Sequence, residues 1–403
     1  MFDSMPASER IRIGHVVGWL HFGGRENGVV NLVNSLDPNV FDSHIFSFVR
    51  DGSLTRRVIP GRCKIIEFGE KLGDDYRLYF KLARAFRSHK IHIAHTHGWG
   101  TLLEGMVAAK LARVPAVVHG EHGTIRDDTR AHIYLQRLMW HAADQILSVS
   151  NALRQKLAQT INFPENRIRV IANGVDLRRF TVARDRSGWK FRLNLPPEGL
   201  TFGTVGRFVP VKCYPVLLEA SRSIFEKIPN SYLVLVGDGP LHEQLTKLAR
   251  DYKIHDRVRF LGWRSDVPEI LNALDVYVLA SESEGMSNTI LEAMACGLPV
   301  VATAVGGNVE LVDSAGGLLV PPYNPKTLAE AVSLLLANPA RRETMGSLAR
   351  RRVEEHFSLK TMAENYASVY LDVVSRRMKL SGSLHDKIRN QEVRVVQAGR
   401  INL

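Results

Sequence analysis

The fold turns on Ile11-Arg12-Ile13-Gly14-His15-Val16-Val17, followed by His21-Phe22-Gly23-Gly24-Arg25-Glu26-Asn27-Gly28 and then by Val29, Val30, Leu32, Val33 and Leu36. The first segment reads as a short buried strand and the second as a glycine-rich turn, while the apolar residues of the third recur at helical spacing. Strand, glycine loop and helix then repeat. Strands are expected at 43–49, 91–95, 116–119, 145–149 and 168–171, with an amphipathic helix at 76–86 and another at 102–111. Such alternation implies a parallel sheet covered by helices on both faces.

A second series of the same kind begins at Thr201, with strands at 201–205, 232–236, 258–261, 276–280 and 299–302 and helices at 214–228, 241–252, 267–274 and 288–295. The chain is therefore expected to be α/β, with two doubly wound Rossmann-like domains whose glycine-rich turns meet across an interdomain cleft. Residues 1–180 would form the first domain and residues 181–200, which lose periodicity and gather Arg, Pro and Gly, the linker. Residues 201–355 would form the second domain. The helical stretch 325–374 breaks near His356-Phe357-Ser358, so 356–380 is a helix expected to cross back to the first domain, followed by a loosely ordered tail at 381–403.

Length and composition agree with two cores. A chain of 403 residues with 45% hydrophobic and 23% charged residues has the balance of a globular enzyme. Residues 1–10 lack the basic start and apolar run of a secretory signal, and no run reaches the roughly 18 residues of a spanning helix, so a cytoplasmic location is expected, with any membrane contact peripheral. Cys63, Cys213 and Cys296 are scattered without CxxC spacing, which points to packing residues in a reducing compartment rather than to a zinc site. The net charge of +12 favours an anionic partner, and residues 1–180 carry most of the excess. Nothing in the sequence supplies an aromatic platform or recognition motif for nucleic acid.

Three loops carry the chemistry. Gly23-Gly24 would let backbone N–H groups approach an oxyanion before a helix N-terminus, although a glycine pair after a strand is also an ordinary tight turn. Arg207 and Lys212 lie in one loop after a strand, where two cations could converge on a diphosphate or simply face solvent. In Glu284-Gly285-Met286-Ser287-Asn288-Thr289-Ile290-Leu291-Glu292, Ser287 or Asn288 caps a helix whose first N–H groups, up to Thr289, can take phosphate oxygens. Glu284 and Glu292 would be poor neighbours for phosphate unless they accept hydrogen bonds from sugar hydroxyls. Otherwise they are charges favoured near a helix N-terminus.

With Arg207 and Lys212, the pair Glu284 and Glu292 resembles the donor site of the retaining family 4 glycosyltransferases, which have the GT-B fold. The resemblance runs from about Ile11 to Phe357 and includes Gly23-Gly24-Arg25-Glu26, Asn173-Gly174-Val175-Asp176 with Phe180, Gly237-Asp238-Gly239-Pro240 and Ala304-Val305-Gly306-Gly307. More narrowly, Glu26-Asn27-Gly28, His119-Gly120-Glu121-His122-Gly123 and Gly285-Met286-Ser287-Asn288-Thr289 resemble sugar transferases of bacterial exopolysaccharide clusters.

The resemblance implies a UDP- or GDP-linked sugar as donor, a glycan or lipid-linked acceptor, and no cofactor. Arg207 and Lys212 would neutralise the leaving diphosphate, with backbone N–H groups lent by Gly24 and by Ser287 to Thr289. Glu292 would bind ribose and Glu284 the donor sugar. His122 would stand beside the anomeric centre, with His119 at the end of the same strand as its competitor. Glu121 and Arg126 could bind acceptor or be solvated loop charges. No Asp-x-Asp occurs, so no metal clamp is expected and charge compensation falls to cations and helix ends. No carboxylate stands out as nucleophile, which implies displacement on the leaving-group face with retention, the acceptor proton passing to the departing phosphate.

Arg77, Lys81, Arg84 and Arg87 recur on one face of the helix expected at 76–86, with Leu78, Leu82, Ala85 and Phe86 on the rest. This pattern fits contact with an anionic membrane surface, or a helix that packs on its own sheet with its cations in water. The competing activities are a nucleotide-sugar 2-epimerase and a non-catalytic sugar- or lipid-binding protein on the same fold. A nicotinamide dehydrogenase is disfavoured because no strand leads into Gly-x-Gly-x-x-Gly.

Overall fold

The computed structural model describes residues 10–378 apart from 22, 51, 70–75, 124–128, 184–185 and 315. The start of the chain, the tail 381–403 and Arg126 thus lie outside the described residues. In chain order the elements are β1 (Ile11–Val17), α1 (Gly24–Ser35), β2 (Phe41–Ser47), β3 (Cys63–Glu67), α2 (Tyr76–Ser88), β4 (Ile93–His97), α3 (Trp99–Ala112), β5 (Ala116–Glu121), α4 (Arg130–Ala142), β6 (Gln145–Ser148), α5 (Asn151–Ile161) and β7 (Ile168–Val170). There follow α6 (Ser187–Arg192), β8 (Leu200–Val205), α7 (Tyr214–Lys227), β9 (Ser231–Val236), α8 (His242–Asp251), β10 (Val258–Phe260), α9 (Val267–Asn272), β11 (Val276–Leu279), α10 (Asn288–Ala295), β12 (Val300–Thr303), α11 (Asn308–Leu311), β13 (Gly317–Val320), α12 (Pro325–Leu336), α13 (Pro339–His356) and α14 (Leu359–Arg377).

The chain divides into two compact units, 1–174 with 359–403, and 175–358. The first holds a seven-stranded parallel sheet in the order β3-β2-β1-β4-β5-β6-β7, the second a six-stranded parallel sheet in the order β10-β9-β8-β11-β12-β13. In each, the strand order reverses at one place: between β1 and β4, and between β8 and β11. Open parallel sheets bind ligands beyond the carboxyl ends of the strands at such a reversal. The GT-B expectation of two doubly wound Rossmann-like units is met.

Two features differ from the sequence reading. The division falls at Gly174 and Val175, and residues 181–200 pack within the second unit: α6 brings the Lys190 ammonium 2.9 Å from Asp275 at the start of β11, and Asp275 also accepts the Thr201 N–H at 2.8 Å. One buried lysine anchors a segment whose composition looks like a tether. The structure also holds strands β3 and β13 and helices α4 and α5, which the sequence pattern does not predict. In α4, Tyr134 and Leu138 remain exposed, which blurs the apolar stripe by which a helix is recognised.

The stretch 325–374 forms three helices. Asn324 and Asn338 cap α12 and α13 by accepting backbone N–H groups, each with proline at the following position. Helix α14 belongs to the first unit, where Met362, Tyr366, Tyr370 and Val373 share a core with Ile11, Ile13, Ile93 and Val118. The second core gathers Phe202, Phe208, Leu217, Leu235, Val278 and Val332. Helix α2 buries Leu78, Leu82, Ala83 and Phe86, so its apolar stripe does meet its own sheet. All three cysteines are free thiols.

Candidate functional site

In the second unit the loop after β8 and the loop after β11 both end at the strand reversal. The first is held from below by Gly237 and Gly239. Gly237 has φ +132° and an added Cβ would lie 2.0 Å from the Gly206 carbonyl oxygen; at Gly239, with φ +156°, it would lie 2.7 Å from that of Phe208. Only glycine permits that approach. It lets Gly206 N–H reach Val236 and Phe208 N–H reach Asp238, both at 2.9 Å, while the buried Tyr214 hydroxyl donates to the Gly206 carbonyl at 2.8 Å. Arg207 projects from this braced loop, exposed and in no ion pair among the described residues.

Lys212 ends a short 3-10 turn and places its ammonium 2.6 Å from Glu284 Oε1, where the Ser281 hydroxyl also donates at 2.6 Å. The two loops are thus pinned together by a half-buried ion pair, and a second link runs from Glu282 N–H to the Val211 carbonyl at 3.0 Å. Gly306 closes the arrangement. It has φ +49°, and a Cβ would lie 1.8 Å from the Glu284 carbonyl oxygen. The Ala304-Val305-Gly306-Gly307 motif is therefore a buttress for Glu284.

Ser287 caps α10 by accepting the Ile290 N–H at 3.3 Å. Its hydroxyl is 3.2 Å from that of Thr289, which accepts from the buried Tyr277 hydroxyl at 2.6 Å. Asn288 opens the helix, and Glu292 is half-buried one turn further along it. Burial foremost, with Glu292's charge contributing, pushes the Tyr277 hydroxyl and the Cys296 thiol up to about 12, so both stay protonated. The structure brings Lys212, Glu284 and Ser281 into contact, and Ser287 with Thr289. Trp263 was not anticipated: its indole is 54% exposed on the loop after β10, where the Gly262 carbonyl accepts the Gly237 N–H at 2.8 Å. A single aromatic without periodicity leaves no signal in sequence.

In the first unit, Gly23 is the extended residue before α1, and a Cβ there would lie 2.3 Å from Glu26 Oε2. Glu26 is buried and pairs with Arg25 at 2.6 Å, while Arg25 Nη1 reaches the His97 carbonyl at 3.4 Å. Gly24, at the exposed start of α1, begins the helix. Gly23 therefore makes room for a carboxylate that folds back over the turn.

His119 is fully buried on β5, its ring nitrogens 2.8 Å from Thr96 Oγ1 and 3.0 Å from Glu121 Oε1. Glu121 is buried too and accepts from Gln136 at 2.9 Å, which corrects the reading of it as a solvated loop charge. Sequence could not reveal this because Gln136 comes from α4. His122, just past β5, is half-buried and meets His97 at 3.1 Å. Burial, then the Arg25 charge, lowers it to about 3, so it is neutral at physiological pH.

Residues 22–179 match the family described as Glycosyltransferase Family 4, and residues 185–352 that of Glycosyl transferases group 1. The UDP-Gal:alpha-D-GlcNAc-diphosphoundecaprenol alpha-1,3-galactosyltransferase of Escherichia coli is 30% identical over 335 residues, 80% of this chain and 85% of its own length. The D-inositol 3-phosphate glycosyltransferase of Kineococcus radiotolerans is 30% identical over 322 residues, 72% of this chain and 74% of its own. Anabaena HepE, solved with UDP-glucose, has a similar fold: TM-score 0.81 over 90% of this chain and 100% of that one, at 22% identity. Two doubly wound units with this order of motifs define a glycosyltransferase of GT-B architecture. The chain belongs to the family 4 glycosyltransferases.

Proposed function

We propose that the enzyme transfers a hexose from a nucleotide-diphosphate sugar, UDP- or GDP-linked, to a glycan or lipid-linked acceptor with retention at the anomeric carbon, in bacterial exopolysaccharide or cell-surface polysaccharide synthesis. The observation that carries this reading is the Lys212–Glu284 pair beside the Ser287-capped α10, at the strand reversal of the second sheet. In this reading Arg207, Lys212 and the N–H groups at Ser287, Asn288 and Thr289 neutralise the leaving diphosphate without a metal, and Gly23 and Gly24 lend backbone donors in the first unit. Glu284, oriented by Lys212, accepts from sugar hydroxyls, and Glu292 accepts from ribose. Trp263 offers a ring face to the nucleobase. His122 touches the donor sugar.

A lipid-borne acceptor is supported by the E. coli relative's diphosphoundecaprenol substrate and by α2, where Tyr76 and Phe80 are 64% and 63% exposed one turn apart among the exposed Arg77, Lys81, Arg84 and Arg87. Aromatic side chains entering the interface and cations on acidic headgroups would hold the protein at the cytoplasmic membrane face.

The test is a nucleotide-sugar screen by thermal shift, followed by turnover of each hit with bacterial membrane extract and NMR of the product's anomeric proton. Retained configuration on a larger glycan or lipid product is expected. Conversion of the free donor alone, without transfer, would establish the 2-epimerase instead, and an inverted product would remove retention.

A further inference from the structure

Three histidine rings from three strands or strand ends meet nitrogen to nitrogen inside the first unit. His15 Nδ1 lies 3.2 Å from His97 Nε2, and His97 Nδ1 lies 3.1 Å from His122 Nε2. His15 and His97 are fully buried; His122 is half-buried beyond the carboxyl end of β5. Burial is the first cause that keeps all three neutral, lowering His15 and His122 to about 3 and His97 well below its ordinary value. The titratable and charged groups around them include His44 on β2, His95 on β4, His119 on β5, the Arg25 guanidinium of α1 and Tyr370 of α14, whose ring meets that of His15 edge-on.

A neutral imidazole carries one N–H. With both contacts made, the central His97 donates to one neighbour and accepts from the other, so the chain of protons has only two directions. If it runs outward, His15 Nδ1–H donates to His97 and His97 Nδ1–H donates to His122, leaving a lone pair on His15 Nε2. If it runs inward, His15 Nε2 must carry the proton. That nitrogen is buried with no hydrogen-bond partner, and orphaned buried donors are rarer than orphaned acceptors. The outward direction wins.

We infer that His97 and His15 are positioning residues that hold His122 with its proton on Nδ1, so that this ring presents a hydrogen-bond donor to its ligand and cannot serve as a base through Nε2. The inference rests on the reading of His122 as a donor-sugar residue and says what that ring does there: it donates to a hydroxyl or phosphate oxygen. Gly120 lies beside the chain, where an added Cβ would press on His95 Nε2 at 3.2 Å and make ordinary contact with His122 Nε2 at 3.5 Å.

The test is long-range 15N–1H correlation on the full chain labelled with 15N-histidine, with the His122 ring assigned by its loss in His122→Ala. In the wild type His122 is expected to carry its proton on Nδ1. His97→Phe removes the Nδ1 donor and His15→Phe the donor behind it, so each is expected to bring in the Nε2–H form of His122. Turnover in His97→Phe is expected to fall roughly tenfold or more. His97→Asn, whose amide N–H stands in for Nδ1–H, restores the tautomer and most of the turnover. A wild-type His122 protonated on Nε2, or a tautomer unchanged in both phenylalanine variants, overturns the inference. Full activity of His122→Ala would remove the donor-sugar role of His122, while the tautomer result alone decides the positioning.

Discussion

Arg207 is exposed on a loop whose backbone is fixed by Gly237, Gly239 and Tyr214, so its guanidinium is free of structural duty while its position is set. Arg207→Ala is therefore expected to leave the melting temperature unchanged and to lower kcat by about 100-fold or more, the scale for removing one donor from a developing oxyanion. Near-normal turnover in the folded variant would remove the diphosphate role. Gly306 makes the opposite case. Gly306→Ala keeps every polar group, yet it puts a methyl into the Glu284 carbonyl at a left-handed φ, costing roughly 1–3 kcal/mol and displacing Glu284. A raised KM for the donor together with a lower melting temperature is the expected signature. Motif residues could be read from sequence as a series; that two of the glycine motifs brace the loops bearing Arg207 and Glu284 could not, because each brace joins segments far apart in the chain.

At the scale of elements, β1 and β4 put His15, His95 and His97 into the first core, where burial holds them neutral in the folded state. The unfolded chain protonates histidine below about pH 6.5, so it then binds more protons than the folded one. Their contribution to stability is fully present above that pH and is lost as pH falls toward their folded-state values, about 3 for His15, at about 1.4 kcal/mol per pH unit for each histidine. Chemical denaturation at pH 7, 6 and 5 checks this, and a flat profile would refute it. Helix α2 has a core-facing stripe and an outer face where Tyr76 and Phe80 stand among cations. Tyr76→Ser with Phe80→Ser is expected to reduce sedimentation with vesicles containing phosphatidylglycerol several-fold at equal net charge. Equal sedimentation of the double variant would leave electrostatics alone as the cause. The cations on this helix were legible from their spacing. The two exposed aromatics were not, since an aromatic in an amphipathic pattern is ordinarily core.

For the whole molecule, the chain leaves the first unit at Gly174, builds the second without interruption and returns at Leu359. The second unit has its own core and is continuous, so residues 175–358 expressed alone are expected to fold and give a cooperative thermal transition. Residues 1–174 alone are not, because α14 supplies Tyr366, Tyr370, Val373 and Val374 to their core. Addition of 359–403 in the same cell should restore soluble protein, and a folded 1–174 fragment would contradict the shared core. Within the second unit, Lys190→Ala leaves the half-buried Asp275 without its cation and should destabilise it by roughly 2–3 kcal/mol, seen as a lower denaturation midpoint.

By itself the sequence determined two doubly wound sheets and the family, and it supplied the residues proposed for the donor, because hydrophobic period and glycine-rich turns are local properties of the chain. Only the tertiary structure decided where the first unit ends, that Lys212 holds Glu284, that Glu121 is an interior anchor, and that three histidines form one proton chain ending at His122. Each of these depends on a partner brought from elsewhere by strand order or helix packing, and such pairings carry no periodic trace in the sequence.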